Sequence, residues 1–307
     1  MLFVLINPNQ AMITINPKNI PVAKWQGYIL GAIAPRPIAF VSTIDKNGNS
    51  NLSPFSFFNA FSTNPPICVF SPARRPKDNT NKHTYDNVKE IDEAVINAVN
   101  YDLVQQASLS SSEFPKEDDE FIKSGLTPIP SVMVKPFRVK ESPVQMECKV
   151  KNIIELGAEG GAGNLVICEI LLMHINENVL DENGVIDPRK IDLVARLGGN
   201  WYSRASGNSL FEVEKPLRTI GIGVDKISEH IRKSKILTGN NLGQLGNVDK
   251  LPSKEEIDDI KMDKEIINLL ALYRTDPVAL EKHIHIKAKK LLEQGEVKKA
   301  WTVLMTI

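Results

Sequence analysis

Two stretches in the first third of the chain carry side chains of the types and spacing that ligand chemistry needs. From Ala34 to Pro66 (APRPIAFVSTIDKNGNSNLSPFSFFNAFSTNPP), the hydroxyls and amides of Ser42, Thr43, Asn51, Ser53, Ser56 and Asn59 stand among the rings of Phe55, Phe57 and Phe58. Aimed hydrogen-bonding groups beside ring walls suit a flat ligand with apolar faces and a polar edge. A little further on, SPARRPKDNTNKHTYDN gathers Ser71, Arg74, Arg75, Lys77, Thr80, Lys82, His83 and Thr84 ahead of an expected helix start. Cationic donors and a helix N-terminus, with its unsatisfied N–H groups and positive dipole end, together suit a phosphate.

A flavin mononucleotide has both features, a planar ring with one polar edge and a terminal phosphate. The plain alternatives fit the same composition: a serine-rich barrel strand with its loop, and a solvated basic loop.

The elements that must position these groups are mostly strands between about Pro37 and Val213. IAFVSTI meets Asn47-Gly48, a dipeptide suited to the positive φ values of a tight hairpin turn, and the chain resumes at Asn51. Further strands are expected at PICVFSP, EAVINAV, SPVQMECKVKNIIEL and NLVICEILLMHI. Gly157 to Gly163 separates the last two, and because a strand follows it, it reads as a hairpin turn rather than a phosphate loop. Short helices are expected near Thr84, near Asp102 and in the acidic KEDDEFIKSG. Few crossover helices among many strands favour a closed antiparallel barrel over a doubly wound parallel sheet.

From about Pro216 the pattern turns helical, giving an expected division into residues 1–215 and 216–307. Ser253 and Glu256 form a capping box ahead of one helix through SKEEIDDIKMDKEIINLLALY. Asp276-Pro277 starts another that ends at Gly295. His283 and His285 are two apart, so on a helix they diverge; they read as surface histidines rather than metal ligands.

Across 307 residues, 37 Lys+Arg balance 37 Asp+Glu, so no global field draws the chain to nucleic acid or an anionic membrane. No run reaches the roughly 18 apolar residues of a membrane helix, and MLFVLINPNQAM lacks the basic start and cleavage pattern of a signal peptide. A cytoplasmic protein, with Met1 or Met12 as its start, is the expectation. Cys68, Cys148 and Cys168 each lie in an apolar strand-like run and are expected as buried thiols, with a redox pair as the lesser alternative.

The ordered motifs PRPIAFVST, NGNSNLSPFSFFN, STNPP, SPARR, KHTYDNV, SPVQMECKV and ARLGGNWY resemble those of the FMN-binding split-barrel flavin reductase-like family, which includes flavoredoxins. The resemblance runs from about Gly31 to Tyr202, with the C-terminal helices as an extension. It implies a mainly β, α+β fold, a six-stranded Greek-key split barrel with peripheral helices, assembled as a homodimer with FMN at or near the interface. It implies that Arg36, Pro37, Ile38, Ser42 and Thr43 lie along the flavin and its ribityl chain, with Thr43 in direct contact. Asn51 to Asn59, including Ser53, Pro54, Ser56, Phe57, Phe58 and Asn59, would be a loop along the ring edge. Ser71, Arg74, Lys82 and Thr84 would hold the phosphate. The chain has two candidate phosphate elements, Lys77 to Thr80 and Lys82 to Thr84, and the second is preferred because Asn87-Val88 follows it at the family's spacing. Arg196, with Gly198, Gly199 and Tyr202, would bring positive charge to the reduced flavin or hold a partner strand. The Asn/Gly-rich stretch Thr238 to Val248 would be a loop over the flavin pocket or across the dimer.

Hydride transfer to a flavin needs no side-chain acid or base, and no triad or carboxylate pair is evident, so no catalytic side chain is expected. The expected function is an oxidoreductase passing hydride from NADH or NADPH through bound FMN to flavin or another acceptor. The nicotinamide, for which no separate fingerprint exists, would bind only transiently. The alternatives are an electron carrier of flavoredoxin type, exchanging electrons with a redox partner protein, and a ligand-binding barrel without flavin.

Overall fold

A computed structural model describes residues 12–216 and 219–307. The residues considered as start and leader, Met1 to Ala11, lie outside the described part. Strands are β1 (Ala39–Ile44), β2 (Ser50–Phe55), β3 (Phe58–Thr63), β4 (Pro66–Phe70), β5 (Glu93–Ala98), β6 (Pro128–Ile129), β7 (Arg138–Val139), β8 (Val144–Glu155), β9 (Asn164–Ile175), β10 (Val194–Arg196) and β11 (Tyr202–Arg204). Helices in the same part are α1 (Val22–Ala32), α2 (His83–Glu90), α3 (Val104–Leu109), α4 (Glu120–Ser124) and α5 (Pro188–Ile191). After them come α6 (Glu229–Arg232), α7 (Gly239–Gly246), α8 (Lys254–Ile260), α9 (Lys264–Leu272), α10 (Pro277–Glu293) and α11 (Val297–Leu304). The chain divides into two compact units, one ending at Phe211 and one spanning Glu212–Ile307.

The first unit is built on a seven-stranded, wholly antiparallel sheet in the order β2-β1-β5-β8-β9-β4-β3. Six strands in a closed barrel were expected; the sheet has seven, and no ladder joins β2 to β3. The reason lies on the outer edge of β2. Leu52 turns its N–H outward, where Glu120 Oε2 accepts it at 3.1 Å. Pro54, two residues on and of the same parity, has no N–H to offer. The stretch expected as a loop, Asn51 to Asn59, is therefore the end strand β2, a two-residue corner at Ser56-Phe57, and the end strand β3.

The β1–β2 hairpin turns by a different device from the one expected. Of Asn47 and Gly48 only Gly48 has a positive φ, +90°. The turn is instead organised by Asp45, which is almost wholly buried and accepts from Asn47 N, Asn49 N and Asn49 Nδ2 at 2.9–3.0 Å. Gly157 to Gly163 joins β8 to β9 as a turn, with Leu156 N donating to Gly163 O at 3.0 Å. That turn lies against the basic loop: a Cβ on Gly160 would stand 3.0 Å from Pro76 Cα, and one on Gly163 2.8 Å from Ser71 Oγ.

One apolar cluster, with Ala39, Val41, Phe70, Ile96 and Val166, fills one face of the sheet. A second, with Phe40, Leu52, Leu103, Phe121 and Val194, joins the sheet to α3 and α4. Cys68, Cys148 and Cys168 are free and buried, and burial pushes the Cys168 thiol well above its usual range.

The second unit has its own core, including Ile231, Leu245, Ile284, Leu292 and Trp301. Trp301 Nε1 donates to Leu245 O at 2.9 Å inside it. Thr238 to Val248, expected as a loop, contains helix α7: Thr238 and Asn241 cap it reciprocally, and Leu242 and Leu245 point into the core despite the glycines between them. The single helix expected after Ser253 is two, because Asp263 caps a new start by accepting from Glu265 N at 2.9 Å. His285, expected at the surface, is 2% exposed, since the period of α10 turns Ile284, His285, Ala288, Leu291 and Leu292 inward together. His283 stacks on Tyr273, ring centres 4.4 Å apart. No helix of the described residues is long and apolar enough to cross a membrane.

Candidate functional site

The basic loop is shaped by its arginines. Arg74 closes it, Nε donating to Asn79 Oδ1 at 2.7 Å and Nη1 to Asn81 Oδ1 at 2.8 Å. Arg75 Nη1 reaches Thr80 Oγ1 at 3.0 Å, and its Nε lies 3.3 Å from Glu113 Oε1. Thr80 is further held by Asp78, at 2.7 Å through its hydroxyl, and Lys77 is exposed. Lys82 occupies the N-cap of α2, and no side chain caps the helix's first N–H groups. Burial and the nearby Arg75 hold both the Lys82 ammonium and the His83 imidazole below their usual ranges. Uncapped N–H groups beside crowded cations are what an anion relieves.

Lys82, His83 and Thr84 face a small cavity of ≈ 20 Å³ whose other walls include Asn51, Ser53, Ser110 to Ser112 and Glu120. Beside it is a polar core between β1, β2 and α2. Asn87 Nδ2 donates to Thr43 Oγ1 at 3.1 Å, Thr84 Oγ1 meets Asn51 Oδ1 at 3.4 Å, and Asn87 Oδ1 is buried with no donor of its own. Thr43 and Thr84 have no exposed surface, so the Thr43 hydroxyl is engaged inside the fold rather than offered to a ligand. Ser42, on the other face of β1, is equally buried and its Oγ has no partner.

A second, larger cleft of ≈ 590 Å³ is walled by Ile38, Pro54, Ser56, Ser108, Arg196 and Tyr202, among others. That volume lies within the range of small-molecule sites. Ser111 lines this cleft and the small cavity alike. The β10–β11 hairpin sets Arg196 directly opposite Tyr202, and the guanidinium lies over the phenol ring. No acceptor or carboxylate among the described residues pairs with that guanidinium.

The structure thus brings Asn51, Ser53, Lys82 and Thr84 to one cavity, and Ile38, Pro54, Ser56 and Arg196 to the adjoining cleft. It does not bring the others. Arg36 is buried behind the cleft, its Nε donating to the wall residue Ser56 Oγ at 3.4 Å and its other N–H groups to Leu30 O at 2.7 Å, Ile33 O at 2.6 Å and Leu197 O at 3.0 Å, which fastens the end of α1 to the β10–β11 hairpin. Pro37, Phe57 and Asn59 are exposed, Phe58 packs on the sheet core, and Ser71 is covered beside Gly163.

Glu120 and Ser111 are wall residues that sequence reasoning missed. Glu120 was hidden in an acidic run that reads as a solvated helix, yet it is 6% exposed, and burial pushes its carboxyl up to about 7. Ser111 sits in the serine triplet Ser110–Ser112, whose only signal is composition. Arg75 is among the loop's expected cations, but nothing in the sequence separates its place on the cavity wall from the loop-closing role of Arg74.

A family model described as flavin reductase like domain matches residues 31–193, more than half of the chain. The chain belongs to the flavin reductase-like family. A protein of Aquifex aeolicus with no assigned function is 38% identical over 185 residues, 60% of this chain and 92% of its own. Among solved structures, nitrilotriacetate monooxygenase component B from Bacillus cereus is similar at a TM-score of 0.62 and 30% identity, covering 66% of this chain and all of that one. A Shewanella frigidimarina protein assigned as a flavin reductase with a split barrel domain aligns at a TM-score of 0.56 and 27% identity, over 64% of this chain and 95% of its own. The flavin reductase-like match ends before the second unit begins.

Proposed function

We propose that the protein binds FMN and is an NAD(P)H-dependent flavin reductase, passing reducing equivalents to free flavin or another small acceptor. The observation that carries this is the junction of two sites in a flavin reductase-like domain: the uncapped, cationic start of α2 and the cleft beneath Arg196 share Ser111 as a wall. Lys82, Arg75 and the first N–H groups of α2 would hold the phosphate. Asn51, Ser53 and Ser56 would meet the polar groups of the ligand between the two sites. The unpaired Arg196 would lower the cost of negative charge in the cleft, and Tyr202 holds it flat. Bound FMN would supply the hydride chemistry, and the protein's part is to bind, orient and limit access.

The crowding of Lys82, His83 and Arg75 agrees with an anionic occupant. In this reading Lys82 and the backbone N–H groups of His83 and Thr84, not Lys77 and Thr80, form the phosphate element, since Thr80 is engaged with Asp78 and Lys77 stands in solvent. The Thr84 hydroxyl, buried against Asn51, supports the helix start from within. The test is direct. Purified protein should show flavin absorption, or acquire it with FMN, and should oxidise NADH or NADPH through many turnovers when free flavin is added. A colourless protein that takes up no FMN overturns the reading.

A second reading, a flavoredoxin-type electron carrier, is favoured by the exposed Phe57 and Phe61, 39% and 69% accessible, following Ser56 of the cleft. Bound FMN with negligible turnover would select it. A cytoplasmic homodimer belongs to the same proposal. Leu171, Met173 and Ile175 alternate along β9 and are 37–43% exposed, an apolar face that a second copy would cover. Sedimentation at one protomer's mass would remove that part.

A further inference from the structure

Glu120 stands at the meeting point of the two small cavities beside the start of α2. One it shares with Asn51, Lys82 and Thr84; the other with Asp45, Asn87 and Lys116; His83 faces both. Its position is fixed by the sheet, because Oε2 accepts the outward N–H of Leu52 at 3.1 Å and its own N-cap, Asp119, is tied to Ser50 Oγ at 2.9 Å. The carboxyl therefore cannot swing into solvent without freeing a buried N–H.

The charges that face it are mixed. Lys82 and His83 come from α2, and Arg75 and Glu113 from the loops around the first cavity. Asp45 and Lys116, 3.6 Å apart, face it across the second. Just before it in the chain, Asp118 and Asp119 both disfavour its ionisation, adding to the dominant effect of burial, while the N–H of Leu52 favours it. The second cavity is also lined by Asn87, whose Oδ1 is an acceptor with no donor, and of the two forms of the Glu120 carboxyl only the neutral one has a hydrogen to give.

We propose that Glu120 couples a proton to the binding of a phosphate monoester at the start of α2, beside these cavities: the neutral carboxyl favours the dianion there, and its ionisation opposes it. This rests on the assignment of the FMN phosphate to the Lys82–Thr84 element. Above pH 7 the phosphate, with its second pKa about 6, is roughly nine-tenths or more dianionic, so nearly all further change in affinity belongs to the protein. A carboxyl that titrates at about 7 when the site is empty, and about one unit higher beside the phosphate, weakens FMN binding roughly fivefold between pH 7 and pH 9. The same coupling makes binding at pH 7.5 take up about half a proton.

The experiment titrates FMN and riboflavin into wild-type protein and Glu120→Gln between pH 7 and pH 9. The glutamine side chain would keep the acceptor for Leu52 N and lose the charge. The expected result is a roughly fivefold slope for FMN on the wild type, a flat profile for FMN on E120Q, and flat profiles for riboflavin on both. An FMN slope that survives in E120Q overturns the proposal, as does an equal slope for riboflavin, which carries no phosphate. If E120Q does not fold, calorimetry of wild-type FMN binding at pH 7.5 in two buffers of different ionisation enthalpy decides it: proton uptake supports the coupling, and none refutes it. Wild-type protein that binds no FMN at any pH sinks the cofactor assignment itself, whereas tight, pH-independent FMN binding sinks only the role of Glu120.

Discussion

The guanidinium carbon of Arg196 lies 4.6 Å from the centre of the Tyr202 ring, directly across the β10–β11 ladder. A planar cation held over an aromatic face keeps its remaining N–H groups aimed outward, and in this fold outward is the ≈ 590 Å³ cleft.

Replacing Arg196 with Ala should therefore weaken productive binding in the cleft about tenfold or more, the scale of a lost hydrogen bond to a charged group. Lysine at the same position should recover only part of it, because a point charge neither stacks nor forks. Steady-state oxidation of NADH and NADPH by R196A and R196K, with KM and kcat separated, checks this. Unchanged kinetics in R196A would assign the residue to the hairpin alone.

Lys82→Ala should weaken FMN binding by about tenfold or more, whereas Lys77→Ala should leave it within about twofold, as expected of an exposed side chain. Equal losses in the two variants would move the phosphate element back to Lys77–Thr80. Fluorescence quenching of FMN on binding measures both.

Asp45 provides a pH prediction for stability. Its hydrogen bond from Asn49 Nδ2, then the backbone N–H groups of Asn49 and Asn47, hold its carboxyl down to about 2 from a usual 3.8. A carboxyl that is more acidic in the folded state stabilises above its unfolded pKa and loses that contribution as pH falls from about 4 to 2. Asp45→Asn should cost about 1 kcal/mol at pH 7 and show a shallower fall in thermal midpoint between pH 4 and pH 2. Parallel profiles for the two proteins would refute the role.

Trp301→Ala should cost about 3–5 kcal/mol, since a buried indole and its 2.9 Å bond to Leu245 O are lost together. The loss should fall on Glu212–Ile307. Hydrogen exchange should quicken in α7, α10 and α11 and stay unchanged in β5 and β8. Uniform acceleration across both units would show that they unfold as one.

Much of the sheet was legible because its strands announce themselves locally. β1, β4, β5, β8 and β9 are apolar runs bounded by turn residues, and each stands where those runs stand. β3 was not legible: Phe58 to Thr63 is a largely exposed end strand, so neither alternation nor a continuous apolar run marks it. The site was legible as composition and motif order but not as burial. Thr43 and Ser56 are both small hydroxyls in the same segment, and only the tertiary fold turns one into the core and the other to the cleft. Arg36 looks like a ligand cation in sequence, and the carbonyls that absorb it come from Leu30 and Ile33 nearby and from Leu197, 161 residues away. Glu120 needed the same long-range information, since its partner Leu52 is 68 residues distant.

The edge of β2 has a consequence for how copies of the protein can meet. A bare strand edge is a template on which another chain can crystallise its own backbone, and proteins that leave one open invite fibrous growth. At this end of the sheet the template lacks two of its donors: Pro54 brings no hydrogen, and the one that Leu52 brings is already answered by Glu120. Glu120→Ala should therefore do more than loosen α4. It should expose an adhesive margin, and the variant should become prone to self-association at concentrations where the parent stays dispersed.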